Sequence, residues 1–371
     1  MRMEYFAEAM AQICEHSLTA PERTLRWIII ANPKAGGFTM RSRWKKCRQA
    51  LDQSRATAQA NLLREDSAPA ETAAHFSSEP FLNAYGLVPT TGPGFAEEIT
   101  RVLIEEAKAN TKPFYLIITA GGDGTSLEAL SVMYNAPASV RENMAVLRLP
   151  MGTGNDGADS PDLACALSLL IKPSRIEFSP ALRLLITPGS NDLKGPFLAF
   201  NILSIGLDAF VTHMTNKMKG KLPGDFYKLW VDIASLLYDR LYTVGVLDVQ
   251  AFNDNNETVK TLCEKILLLA VGVSGHRTYG SQKKILPDDR NVCALRQMPL
   301  LRKLALKGLF STGTHIDKPE SILFNARRVE FSGKYPILAQ MDGEAVLLEP
   351  DNFPAAIELT EPVIPILKVV E

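Results

Sequence analysis

The sequence predicts two domains of different texture: an α/β layer built on a parallel sheet, then a mostly antiparallel domain. Three observations carry this. Over the first ~170 residues, apolar β-branched runs alternate with glycine-rich turns and helical stretches, the signature of parallel strands crossed by helices. Beyond Pro173, short strand-like runs follow one another at turn spacing, interrupted by one long helical stretch around residues 225–240. The composition, 46% hydrophobic and 22% charged over 371 residues, is that of a globular chain able to bury two cores.

Each element follows in order. Residues 25–31 are apolar and β-branched and stop at Asn32-Pro33-Lys34-Ala35-Gly36-Gly37, after which residues 41–51 are helical in character. Residues 54–89, rich in Ala, Ser, Thr and Glu, predict a helix or two with loops. Phe95, Ile99, Val102, Leu103 and Ala107 lie close to helical spacing, with Thr90 or Thr91 as a cap. Residues 114–120 form a continuous apolar strand ending at Gly121-Gly122-Asp123-Gly124-Thr125, and a helix is expected over 126–134. Residues 144–151 repeat the pattern into Gly152-Thr153-Gly154-Asn155-Asp156. Ser160-Pro161-Asp162 predicts a helix start with Ser160 as cap, ahead of 163–171. Later strands are expected at 183–187, 197–203, 243–252, 265–273, 292–297, 328–332 and 337–341. The domain cut is placed at 171–175. This gives an N-terminal extension (1–24), a first domain (25–173) and a second domain (174–371), whose C-terminal end is allowed to return to the first.

Forty Lys and Arg against 41 Asp and Glu leave a net charge of −1, so no global field attracts nucleic acid, and any phosphate chemistry must be built locally. Cys14, Cys47, Cys165, Cys263 and Cys293 stand at irregular spacings without C-x-x-C, the pattern of reduced cytoplasmic thiols. Glu4, Glu8, Glu15 and Glu22 exclude a secretory signal near the N-terminus, and the longest apolar run, 266–273, has the length of a strand and not of a membrane span. A cytoplasmic protein is expected, with at most peripheral membrane contact.

The chemistry concentrates in glycine loops just past predicted parallel strands, the edge where open α/β sheets bind ligands. Gly121, Gly122 and Gly124 let main-chain N–H groups approach a phosphate, and the following helix start adds favourable partial charge. Asp123 between them would repel a phosphate directly. It makes sense with Mg²⁺ interposed, or as acceptor of a proton from an attacking hydroxyl. Those are the parts phosphoryl transfer needs.

These motifs resemble the diacylglycerol kinase catalytic-domain family of ATP-dependent lipid kinases. The resemblance rests on Asn32-Pro33-Lys34-Ala35-Gly36-Gly37, on Gly121–Thr125 with Glu128, and on residues 149–156. It extends to Thr91-x-x-x-x-Ala96, Phe200-Asn201-x-x-x-Ile205-Gly206-x-Asp208-Ala209 and Met341-Asp342-Gly343-Glu344. It implies a C-terminal β-sandwich and a nucleotide site bordered by Asn32, Pro33, Gly36, Thr91, Gly121, Gly122, Gly124, Thr125, Gly152, Thr153, Gly154 and Asn155. Asp123 and Glu344 become the expected catalytic acids, with Glu128, Asp156 and Asp342 supporting them. ATP and Mg²⁺ are the implied cofactors. The partner would be a lipid at a membrane surface, and a homodimer is compatible with it. The chain departs from the pattern where Gly157-Ala158-Asp159 replace the usual Phe-Ala-Arg, and where Phe95 replaces a histidine. The family's metal segment corresponds to Asp289-Arg290-Asn291-Val292-Cys293, so Asp289 is a candidate ligand while Cys293 stands in place of a second carboxylate.

Rivals are a dehydrogenase, since residues 152–157 match G-x-G-x-x-G with Glu177 about 20 residues on, a ribose-phosphorylating NAD kinase, and a non-catalytic phosphate-binding relative. The dehydrogenase is disfavoured because the loop is not the first strand-turn unit, and NAD kinase because its Asn-Glu pair falls only at Asn256-Glu257 in a polar loop. Intact Asp123, Asn155 and Glu344 argue against the third. The five histidines show no paired spacing, and P-loop and protein-kinase motifs are absent. For lipid contact, the apolar face of Phe226, Tyr227, Leu229, Trp230, Ile233, Leu236 and Leu237 after Lys217, Lys219 and Lys221 is one candidate. The leucines and cations of residues 300–310 are another.

Overall fold

The computed structural model describes residues 2–62, 86–152, 154–218, 238–279 and 283–370. Two compact units divide the chain, Met1–Ser179 with Pro362–Glu371, and Pro180–Glu361. Helix α1 (Arg2–Glu15) presents Phe6, Met10 and Ile13 on one face, all fully buried, so the stretch read as an extension is packed into the first unit.

The first unit continues through β1 (Leu25–Ala31), α2 (Gly36–Thr39), α3 (Arg41–Leu62), β2 (Gly86–Pro89), α4 (Phe95–Ala109) and β3 (Phe114–Gly121). Then come α5 (Asp123–Tyr134), α6 (Ala138–Arg141), β4 (Met144–Pro150), α7 (Leu163–Ile171) and β5 (Ser174–Ser179). Strands β2-β1-β3-β4 are parallel neighbours in that order. Every residue of β3 is buried, which is why its sequence is one apolar run: helices cover both faces of a parallel sheet. The chain winds from β1 out to β2 and then across to β3. The carboxyl ends of β1 and β3 therefore flank the point where winding reverses, where such sheets bind ligands. Helix α7 is capped by Asp162, whose side chain accepts from Cys165 N at 2.8 Å; the expected cap, Ser160, lies too far upstream.

The second unit holds β6 (Leu182–Leu185), β7 (Phe197–Ala199), β8 (Ile202–Gly206), α8 (Leu207–Met218), α9 (Tyr238–Leu241), β9 (Val246–Phe252) and β10 (Thr258–Gly272). It continues with β11 (Arg277–Tyr279), β12 (Lys283–Leu286), β13 (Val292–Arg296), α10 (Leu300–Thr312), β14 (Ser321–Phe324), β15 (Arg328–Gly333), β16 (Ile337–Met341), β17 (Glu344–Leu348) and β18 (Ala355–Leu359). Its pairings are antiparallel. The long strand β10 joins two layers: its first half pairs with β9, its second with β8 and β13. The 11-stranded sheet curls around a core that includes Leu203, Ile205, Val249, Val329 and Ile357, and β11 and β12 form a separate two-stranded sheet. The strand expected over 197–203 breaks at Phe200-Asn201 because main-chain N–H groups there turn to the Asp342 carboxylate.

The last strand, β19 (Ile364–Val369), completes the first unit's sheet, parallel to β4 at Ile366↔Val146 and antiparallel to β5. Since β5 lies in that sheet too, the first unit runs past the cut expected at 171–175.

Candidate active site

Three turns meet at the carboxyl edge of the parallel sheet. In the first, Asn32 forms an Asx turn, its Oδ1 accepting from Lys34 N at 2.9 Å, while Asn32 N donates to Ala120 O at 3.0 Å. Pro33 stands between them, Gly36 opens α2, and Gly37 N donates to Met151 O at 2.8 Å, tying this turn to the one after β4. A β-carbon on Gly37 would lie 3.0 Å from Met151 O and 2.8 Å from the flexible Met151 Cε, so a larger residue would crowd this approach.

After β3, Gly121 packs against Thr125 and Gly122 precedes α5, whose first residue is Asp123. Gly124 lies in the first turn of α5, exposed. A β-carbon on Gly152 would stand 2.6 Å from Gly122 Cα, so the two glycine turns touch backbone to backbone. The carboxylates of Asp123 and Asp156 flank Gly154, their Oδ2 atoms 3.2 and 3.1 Å from where its β-carbon would sit. Asp123 Oδ1 also accepts from Gly157 N at 3.2 Å. Asn155, at φ 60°, keeps a buried Oδ1 with no hydrogen-bond partner. The position of Thr153 lies outside the described residues.

Thr91 lies exposed just past β2, after Thr90 N donates to Ala31 O at 2.7 Å. Glu128 does more than sit solvated on α5. Its carboxylate accepts from Gly94 N at 2.8 Å and Ala96 N at 3.1 Å, fastening the start of α4 to the helix that carries Asp123.

Two groups escaped the sequence reading. Arg43 Nη1 donates to Gly152 O at 2.7 Å, holding the loop after β4 from α3. Arg148, a lone cation in an apolar strand, forms a buried pair with Asp159 at 2.6 Å, closing the same loop. The cation inside the β4 pattern and the unusual Asp159 were the available signals.

In the second unit, Asp342 is a structural clamp. Its carboxylate accepts from Phe200 N, from Asn201 N at 3.1 Å and from Ile202 N at 2.9 Å. The following Gly343 is gripped at both ends, its N–H by Gln340 Oε1 at 3.1 Å and its carbonyl by Asn216 Nδ2 at 2.7 Å. Glu344 thus leaves a rigid turn on an exposed strand edge.

The expected metal segment diverges. Asp289 is exposed and paired with His276 Nε2 at 2.9 Å. Cys293 is buried in the core, and burial pushes its thiol up to about 12, so it is no thiolate ligand. The candidate lipid-contact face at residues 226–237 lies outside the described residues. The Asn256-Glu257 pair forms the β9–β10 hairpin, where Asn253 Nδ2 donates to Glu257 at 2.8 Å.

Residues 26–169 match the family model of the diacylglycerol kinase catalytic domain. The chain is similar in fold to a Bacillus anthracis str. Sterne protein described as a diacylglycerol kinase, at 16% identity and TM-score 0.55, over 92% of this chain and 96% of that one. A second structure of that description and organism aligns at TM-score 0.53 with the same identity and coverage. A yeast NADH kinase aligns at 13% identity over 94% of this chain and 85% of that one, with a TM-score of 0.39. Among curated proteins none matches the chain.

Proposed function

We infer that this chain, whose residues 26–169 match the family model of the diacylglycerol kinase catalytic domain, transfers the γ-phosphoryl group of ATP to a hydroxyl group on a lipid. That match supports the phosphotransferase class. The observation that supports the phosphate site is the contact of Gly122 with Gly152 beside the Asp123 carboxylate. Three turns bring their backbones together, and α5 starts there with its positive dipole end.

In this reading the backbone at Gly121, Gly122, Gly124, Gly152 and Gly154 cradles the polyphosphate, and Asn32, Pro33, Gly36, Thr91, Thr125 and Asn155 border the nucleotide. The Asp123 and Asp156 carboxylates with Asn155 Oδ1 form an all-oxygen donor set that suits Mg²⁺. Bound there, the ion would neutralise charge on the phosphates. Asp123 or Glu344 takes the proton of the attacking hydroxyl. The acceptor is a diacylglycerol-like or sphingoid lipid, reached by peripheral contact. Among the described residues no helix is long and apolar enough to cross a membrane.

The test is purified protein with labelled ATP and Mg²⁺ against a lipid panel and NAD, with products identified. Label in a phospholipid or sphingoid phosphate supports the reading; label in NADP alone replaces it with ribose phosphorylation.

A further inference from the structure

We propose that α10 is a membrane-docking helix, its leucine ridge of Leu300, Leu301 and Leu304 seating in the headgroup layer of an anionic bilayer. Its purpose rests on the lipid-kinase reading, but its geometry does not. On the inner side of α10, Lys303 and Leu306 are buried. On the outer side Leu300, Leu301 and Leu304 are 40%, 81% and 46% exposed. Ala305, Gly308, Ser311 and Thr312 continue that side, all exposed and uncharged. Positions 300, 301, 304, 305 and 308 share one helical face. The cations between them are drawn aside: Arg302 pairs with Glu320 at 2.6 Å and Lys303 with Asp239 at 2.8 Å. The second pair fastens α9 to α10, and α9 exposes another leucine, Leu241, at 62%.

The charge pattern selects the occupant. No Asp or Glu occurs from Gln297 to Ile316, exposed Asp317 follows in the next turn, and Asp239 and Glu320 are engaged in ion pairs with Lys303 and Arg302. Away from the ridge, exposed Arg240 adjoins Asp239 on α9, and exposed Lys284 stands at the C-terminal end of α10, its Cβ 3.6 Å from where a β-carbon on Gly313 would lie. An uncharged leucine ridge on a helix that carries cations and no acid of its own is complementary to acyl chains beneath anionic headgroups. The face is also too small for a stable dimer. A 13-residue helix is about 20 Å long, so a stripe ~10 Å wide offers about 200 Å², against roughly 800 Å² per partner in a standard interface.

The experiment is co-sedimentation of the full chain with vesicles of phosphatidylcholine alone and of phosphatidylcholine with phosphatidylglycerol. Wild type is compared with Leu301→Glu and Leu301→Glu/Leu304→Glu. Sedimentation velocity and thermal unfolding accompany it, with phosphorylation of a short-chain, monomeric lipid as a separate readout. Wild type should pellet with the anionic vesicles and more weakly with phosphatidylcholine. The double variant should lose partitioning on the order of tenfold or more, with mass, melting temperature and short-chain turnover unchanged. Equal pelleting of variant and wild type overturns the proposal. So does a wild type that binds no vesicle, or a dimer that the substitutions dissociate. Vesicle binding without phosphorylation of any lipid keeps the docking helix and removes the kinase reading; short-chain turnover without vesicle binding does the reverse.

Discussion

Asp159 holds Arg148 in a fork: Oδ1 accepts from Nε at 3.0 Å and Nη2 at 2.6 Å, and Oδ2 from the Arg148 main-chain N–H at 2.7 Å. Both side chains are less than a tenth exposed, so the pair sits in low dielectric at the base of the loop that carries Gly152, Gly154 and Asn155. Asp159→Ala strands a buried guanidinium, and removing one member of such a pair costs about 3–5 kcal/mol. The urea midpoint should fall accordingly. Arg148→Met/Asp159→Leu should recover most of the loss, because two apolar groups leave no charge to desolvate. A single variant as stable as wild type would disprove the clamp.

The Gly122–Gly152 contact predicts that alanine acts differently at the two positions. On Gly152 the new methyl meets the Gly122 backbone at 2.6 Å and Gly121 O at 3.1 Å, so a loop must shift. On Gly122 the nearest atom outside its own stretch is 4.0 Å away. Gly152→Ala should lower both the melting temperature and ATP affinity. Gly122→Ala should leave melting unchanged and weaken ATP alone, since its methyl blocks only the ligand's approach to the backbone. Thermal shift and nucleotide titration on the two variants separate these outcomes, and equal melting losses would refute the assignment.

Asp123→Asn keeps an oxygen that can accept from Gly157 N, which Asp123 Oδ1 does at 3.2 Å, so folding should persist. The variant loses the charge used to bind the metal or take the proton. Turnover should drop by roughly a hundredfold or more, with ATP still bound. Near-normal turnover with an intact fold would remove Asp123 from the chemistry.

Much of this was legible in the residues, for physical reasons. A doubly covered parallel strand must be apolar throughout, so β1, β3 and β4 announced themselves, and the glycines marked where backbones touch. The return of the C-terminal end to the first unit was allowed for, but the pairing partners of β19 were not legible: it adds its ladder to a sheet begun more than 300 residues earlier, a partnership that local pattern cannot encode. How Asp342 acts was hidden for a related reason. An Asp-Gly turn reads alike whether its carboxylate faces a substrate or, as here, the amides of Phe200, Asn201 and Ile202. Arg148 was visible as a cation in an apolar strand, but only its fold-distant geometry with Asp159 gives it meaning.

The buried neighbours Cys293 and His315, Sγ and Nε2 3.9 Å apart, set opposite pH limits on stability. Burial raises the Cys293 thiol from its ordinary 9.0 to about 12. The unfolded chain therefore ionises this thiol first. The stability held in the neutral thiol is complete below pH 9.0 and drains away as pH rises toward 12. Burial lowers His315 from its ordinary 6.5, with its backbone contact to Ile285 opposing. Its contribution is complete above 6.5 and falls as pH drops below that value, where the unfolded imidazole takes up a proton first. Cys293→Ala should be less stable than wild type at neutral pH, and the difference should shrink above pH 9. Urea midpoints of both proteins from pH 7 to 11 check this; a pH-independent gap would mean the thiol is not held neutral by the core. Exposed Cys165 and Cys263 should be alkylated in the native protein, while Cys14 and Cys293 react only on unfolding.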